Sequence, residues 1–524
     1  MEECKVRAKE AGLSFDNETL EYIVTNKDLL EYTPKGMIPT LYDYWVNDVG
    51  VLKEKGKYQL YPHNPYETVI NTRPAISFYN DNNPDWLNIM IFYHVIGHID
   101  FFQNNHMFMH TWKDDFAGQA LADKRFISSH RSNHGRWVDY VIEFARSIDN
   151  IVGYFPHLYE IENHDILKEV KREEYFFGDF LQSHVKLSEM KLFEEIERYN
   201  KMIDTNGDLG DNLYFSEVKK KYPEFQSYFE QFIKKRKTKP KDILEFIIDN
   251  SPFLKKDGNN WMKGILNIVR NTSLYFAPQI RTKIINEGWA SYWHDKLFQK
   301  DDRINGHEVD YARVNAAVTS ISRIGLNPYA IGLRLINHVE DLANEGKLTY
   351  QFQKIRDRQK RAQYDKNTNN GKEAIFMLRK YFSDHMLINT FVDQDFVDEH
   401  NLFVTGQRFN KDSGMIEYYV KSRRAQDYKK MLLDQLYHPP YISINEEKTN
   451  DNNIYLVHHF EGKQLVQEMI PDTLLGLEYL WGGQAQLETT QIVVIQDRNP
   501  QNVRYEHRRV LYTMKDKKIN SQNL

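Results

Sequence analysis

One cysteine, Cys4, serves the whole 524-residue chain. An internal disulfide framework is therefore impossible, and a reducing compartment is the natural reading. No stretch reaches the ~18 uninterrupted apolar residues of a membrane span. The N-terminus, MEECKVRAKEAG, has no apolar core of a secretory signal. With those signals missing, the cytoplasm is the expected location. Charge of one sign is also missing: the formal net charge is -5 and the pI about 6.5. Nothing in that balance suggests a nucleic-acid binder as a whole.

What the chain does have is length and aromatic residues. At 524 residues it exceeds what one hydrophobic core usually serves. Thirty-three tyrosines and thirty phenylalanines can fill helical cores or line a pocket. The pattern predicts a mainly α protein: a large helical domain over residues 1–405, and a small C-terminal α+β domain over 406–524. Residues 5–32, 84–109, 133–152 and 241–346 carry helical periodicity. The charged stretch 164–240 reads as solvated helix and loop. Its DTNGDLGDN loosely fits a calcium loop, but glycine misses its required place by one position and a polar loop is the better reading. From about 405 onward the strands IEYYVKS, YISIN, IYLVHHF, QIVVIQD and RVLYTMK alternate with two helices, in the order β-α-β-β-α-β-β.

The chemistry centres on IFYHVIGHIDFFQNN, residues 91–105. His94 and His98 are four apart, so a helix sets them on one face with Cβ atoms roughly 5–6 Å apart. That is the spacing of the zinc-binding HExxH helix, with Val95 where that motif places its glutamate. Two core histidines are the plainer reading of a bare HxxxH. Gly97 argues for more, because a helical glycine costs about 1 kcal/mol against alanine and suits a close approach to the backbone.

A third ligand is required, and NEGWASYWH at 286–294 offers Glu287. A carboxylate in so apolar a helix must be paired, metal-bound or protonated. His94, His98 and Glu287 would form a gluzincin-like His₂Glu set for a divalent metal. Zinc is the first choice; iron is the alternative, since the facial triad of non-haem oxygenases has the same composition. A water acidified toward pKa ~7 could then attack an amide or ester carbonyl. With no glutamate at position 95, the base must come from Asp100, Glu143 or Glu67. His294, two turns beyond Glu287, could act as general acid or stabilise an oxyanion. Asp139, four before Glu143, is a weaker candidate. Phe101, Phe102, Trp289, Tyr292 and Trp293 could line a cleft, with helix packing as the plainer assignment.

Five strings stand in order: YETVINTRPAISF, HVIGHIDFFQNN, YFAPQIRTKIINEGWASYWH, GLNPYAIG and LEYLWGG. On them the chain resembles the SpoVR family, the stage V sporulation protein R-like proteins, over nearly its whole length. In that family valine is normal at position 95. The resemblance implies a link to sporulation, spore cortex and cell-wall or stress physiology, without a defined reaction. It also implies a genetic neighbourhood with a PrkA-type serine kinase and a von Willebrand factor A-like protein. HGRWVDYVIEFARSID departs from the corresponding family helix, which is richer in glutamate where Arg136 and Trp137 stand. Two readings follow: a metal-dependent hydrolase of an amide or peptide-like bond, or a non-catalytic regulator with a structural metal site.

Overall fold

A computed structural model describes residues 1–16, 18–26, 28–29, 68–111, 115–148, 152, 172–187, 189–207, 209–237, 242–322, 325–349, 352, 355, 357–410, 414–436, 439–496 and 503–524. The architecture is mainly α, with small sheets.

The N-terminal segment departs from its helical periodicity. Helix α1 covers only Glu2–Glu10. Gly12 then takes a positive φ of 104°, which breaks the helix. Strand β1, Thr19–Val24, follows with its β-branched and aromatic residues, running parallel to β3, Ala75–Asn80. Strand β2, Thr68–Ile70, lines the other side of β3.

Helix α2, Asp85–Asn104, begins after Pro84, and residues Met90–Phe102 are buried on every face. A helix apolar all round belongs at the centre of a core. Helices α3, Phe116–His134, and α4, Trp137–Arg146, replace the single helix expected over 133–152. Gly135, with φ 56°, separates them.

Beyond α5, Ile243–Asn250, and α6, Trp261–Arg281, comes α7, Lys283–Phe298, which lies against α2. Then follow α8, Glu308–Val318, α9, Pro328–Asn344, α10, Gly371–Tyr381, and α11, Asp384–Phe391. Glycines let three of these helices meet backbone to backbone. A Cβ on Gly97 of α2 would stand 2.8 Å from Ala290 Cα of α7. A Cβ on Gly288 of α7 would stand 2.6 Å from Gly332 Cα of α9.

The N-terminus of α7 is capped from outside its own helix. Asp384 accepts from the amides of Ile284 and Ile285, each at 2.9 Å. These amides have no partner within the helix, so the carboxyl answers a real deficit. Burial pushes Asp384 up to about 7, against those two donors. The unfolded chain then ionises this group before the folded one does. Its contribution to stability is full below about pH 4 and declines as the pH rises through about 7. Thermal melts at pH 5 and pH 8 should show a smaller drop for Asp384→Asn than for the unsubstituted chain, even though the variant starts from a lower melting point.

From Met415 to Lys515 the C-terminal region follows the expected strand and helix order, and two strands not expected from the sequence, Val404–Asn410 and Lys518–Asn523, flank it. Strands β4, Val404–Asn410, and β5, Met415–Ser422, pair as a separate hairpin. After α12, Ala425–Gln435, strands β6, Tyr441–Ile444, and β7, Asn453–His459, precede α13, Ile470–Trp481. Strands β8, Gln484–Gln496, β9, Val503–Lys515, and β10, Lys518–Asn523, complete a sheet ordered β10-β9-β8-β7-β6. The β7–β8 pair is parallel, with α13 as its crossover. Residues of this sheet and of α13 share one hydrophobic cluster with α4, α5 and α6.

Residues 153–242 form a second compact unit. Its charged composition conceals a core of its own. Tyr175, Phe176, Phe180, Tyr214, Phe215 and Phe225 are buried together, fed by helices Leu209–Lys221 and Phe225–Lys237. Asp204 and Asn206 of DTNGDLGDN close the helix Glu189–Asn206 rather than a loop. Among the described residues no helix is long and apolar enough to cross a membrane.

Candidate metal centre

His94 and His98 occupy successive turns of α2, where the four-residue spacing stacks side chains on one face. Their rings lie 4.6 Å apart and nearly perpendicular. Both are buried, with side-chain exposures of 3% and 6%. The contact of Gly97 with Ala290 brings α7 alongside, and α7 delivers Glu287. Glu287 Oε2 stands 3.6 Å from His94 Nε2 and 3.5 Å from His98 Nε2. Two donors at ~2.1 Å on one tetrahedral ion stand about 3.4 Å apart. The three groups thus have the spacing of a shared ion, and their ligand atoms all lie within 4.8 Å of one another.

The far sides of the imidazoles are fixed by hydrogen bonds. His98 Nδ1 lies 2.9 Å from Asn286 Oδ1, an acceptor, so the proton sits on Nδ1. His94 Nδ1 lies 2.9 Å from His294 Nδ1, and His294 Nε2 lies 3.1 Å from Asn315 Oδ1. Asn315 donates its Nδ2 to Asp295 at 3.4 Å, which turns its oxygen toward His294. His294 therefore holds its proton at Nε2 and accepts at Nδ1 from His94. Both His94 and His98 then present Nε2 lone pairs toward Glu287. Metal-binding histidines are oriented in this way by the partners of their second nitrogen.

Burial pushes His94 down to about 3 and His294 down to about 4, so both are neutral imidazoles. Burial pushes the Glu287 carboxyl up, and a hydrogen bond from the Tyr329 hydroxyl pulls it down. Two imidazole nitrogens and one buried carboxyl oxygen thus converge on a common point. A divalent cation is the chemistry that satisfies such a set.

Of the other residues singled out in the sequence, His294 joins the cluster through His94. Asp100 does not. It is about 200° round α2 from His98, at 100° per residue. There it accepts from Ser14 N at 2.7 Å, Trp289 Nε1 at 2.8 Å and Arg379 Nη1 at 3.0 Å. Burial raises it to about 6 against these donors. Glu143 is exposed on α4 and pairs with Arg146 at 3.1 Å. Asp139 accepts from Arg131. Glu67 lies outside the described residues. Phe101, Phe102, Trp289, Tyr292 and Trp293 are buried.

Three members of the cluster escaped sequence reasoning. Asn286 directly precedes Glu287. Tyr329, which hydrogen-bonds Glu287 and stacks 5.8 Å from His94, lies in GLNPYAIG, a string that had been given no chemical role. Asn315, on α8, carries no sequence signal of its own. A further link joins two of the quoted strings: the Tyr275 hydroxyl donates to the Asn71 carbonyl.

Comparison with known proteins places this constellation in context. The family model described as SpoVR like protein matches residues 1–439. The chain is 25% identical over 337 residues to the uncharacterized protein YcgB of Escherichia coli (strain K12), an alignment covering 61% of this chain. The same alignment spans 58% of the length of that curated relative. No solved structure matches.

Proposed function

This chain belongs to the SpoVR family, and from the cluster its helices build we propose that it is a metal-dependent hydrolase of amide or peptide-like bonds. One observation carries the reading: two imidazoles, held by partners at Nδ1, set Nε2 3.5–3.6 Å from the buried Glu287 carboxyl, the spacing of ligands on one ion. His94, His98 and Glu287 hold the ion, zinc first and iron as the alternative. A divalent ion there supplies Lewis acidity and a more acidic water. The chain's own residues do the rest. Asn286 and the His294–Asn315 pair keep both ligand rings in the binding tautomer. His294, tied up at both nitrogens, is a positioning residue. Tyr329 holds Glu287 through its hydroxyl. Three protein ligands leave a coordination position open, as catalytic sites require and structural sites do not. Glu287, at 16% exposure, is the most solvent-accessible of the three.

A second reading is favoured by the near-complete burial of both imidazoles: a cytoplasmic regulator with a structural ion, working with a PrkA-type serine kinase and a von Willebrand factor A-like protein. The two readings part in one assay. Full-length protein with its ion in place is offered peptide amides and cell-wall peptide fragments, with and without a chelator. Chelator-sensitive hydrolysis is the expected result. A fully loaded protein that cleaves nothing in the panel defeats the hydrolase reading and leaves the regulator. In either case the sporulation, cortex or stress context inferred from the family remains a proposal about process.

A further inference from the structure

Strands β4 and β5 form a two-stranded sheet by themselves. Strand β4 lies against α12. Among the described residues no strand pairs with the outer edge of β5. Register places Phe409 opposite Ile416, and alternation puts Tyr418 and Val420 on that same face. These four side chains are 46–64% exposed. An isolated two-stranded ribbon with an uncovered apolar face is marginal in water, and an open edge invites another strand.

The sequence of β5 says which strand fits. In MIEYYVKS the only charges are Glu417 and Lys421, with Tyr419 midway between them. Antiparallel pairing of β5 with its own copy about Tyr419 sets Glu417 opposite Lys421 of the second copy, twice over by symmetry. It also sets Tyr418 opposite Val420. Opposite charges and aromatic–β-branched pairs are both favoured across strands. Strand β4 has no such complementarity, since Arg408 is its one charge and pairs with Glu417 within the hairpin at 2.8 Å, leaving Glu417 to be shared with Lys421 of the second copy. We infer that the β5 edge is a self-association surface, and that two copies of this chain join there into a continuous four-stranded sheet.

Light scattering on the full chain tests this, in a dilution series reaching about 100 µM, where small interfaces populate. The expected limit is twice the 62.5 kDa of one chain. Lys421→Glu turns both charge pairs repulsive and should raise the dimer Kd by about tenfold or more. The symmetry axis gives a second, register-specific readout. Tyr419→Cys faces its own copy and should form a covalent dimer on mild oxidation. Val420→Cys faces Tyr418 instead and should not. The native Cys4 is buried and supplies little background. A monomer at every concentration overturns the inference. So does a dimer indifferent to Lys421→Glu, or cross-linking as efficient at 420 as at 419.

Discussion

Chain purified without added metal should carry about one divalent ion, and Glu287→Ala should lose it. Removing the carboxylate strips both a ligand and the charge that compensates the cation, leaving only the two imidazoles. The expected fall in affinity exceeds ~100-fold, beyond the 10–100-fold typical of losing an outer partner. The paired substitution His94→Ala, His98→Ala should do the same. Asn286→Ala and Asn315→Ala offer an intermediate case, because all three ligands survive while one ring loses its tautomer lock. Each should weaken binding by about 10–100-fold. Elemental analysis and competition with a chromophoric chelator measure the series, with circular dichroism confirming the fold. Metal-free wild-type protein, or equal affinity throughout the series, would sink the metal centre and return the histidines to the core.

Gly288→Ala should be strongly damaging for the addition of a single methyl. The new Cβ would stand 2.6 Å from Gly332 Cα, and main chain cannot rotate out of the way as a flexible side chain can. Helices α7 and α9 would have to separate, at a cost of about 3 kcal/mol. Because Glu287 is the neighbouring residue and Tyr329 rides on α9, metal affinity should fall even where the fold survives. Gly258→Ala is the matched control: nothing lies within 4 Å of its Cβ and its φ is unremarkable. Denaturant unfolding should separate the two variants clearly. A Gly288→Ala protein as stable as the control would mean that the helices are not in backbone contact.

Much of this was legible in the sequence, for physical reasons that differ by residue. The shared face of the imidazole pair followed from helical periodicity, and Gly97 was the signal that something approaches it closely. Glu287 followed from the expense of placing a carboxylate among Gly288, Trp289 and Ala290. The strands between Met415 and Lys515 showed themselves by β-branched alternation, whereas the polar β10, KINSQN, did not. Asn315 could not be found, since its role depends on where α8 crosses α7. Tyr329 was visible as part of a string but not as a hydrogen-bond donor to a residue some forty positions earlier. Strand β1 was read as helix because its apolar spacing is ambiguous over so few residues, and the decision is made by pairing with β3. Strand β4, VTGQRFN, has too much polar and glycine content to announce itself, and exists through its partner β5.

The meeting of Gly97 and Ala290 has a consequence for ion size. The close approach of the two main chains sets the distance between the helices that carry the imidazole nitrogens and the Glu287 oxygen. Zinc–nitrogen bonds of ~2.0–2.1 Å suit such a gap, whereas calcium's oxygen shell at 2.3–2.6 Å asks for a wider and softer cage. For the metal centre proposed above, the helix contact would then act as a calliper, favouring a small cation alongside the preference of the imidazole ligands.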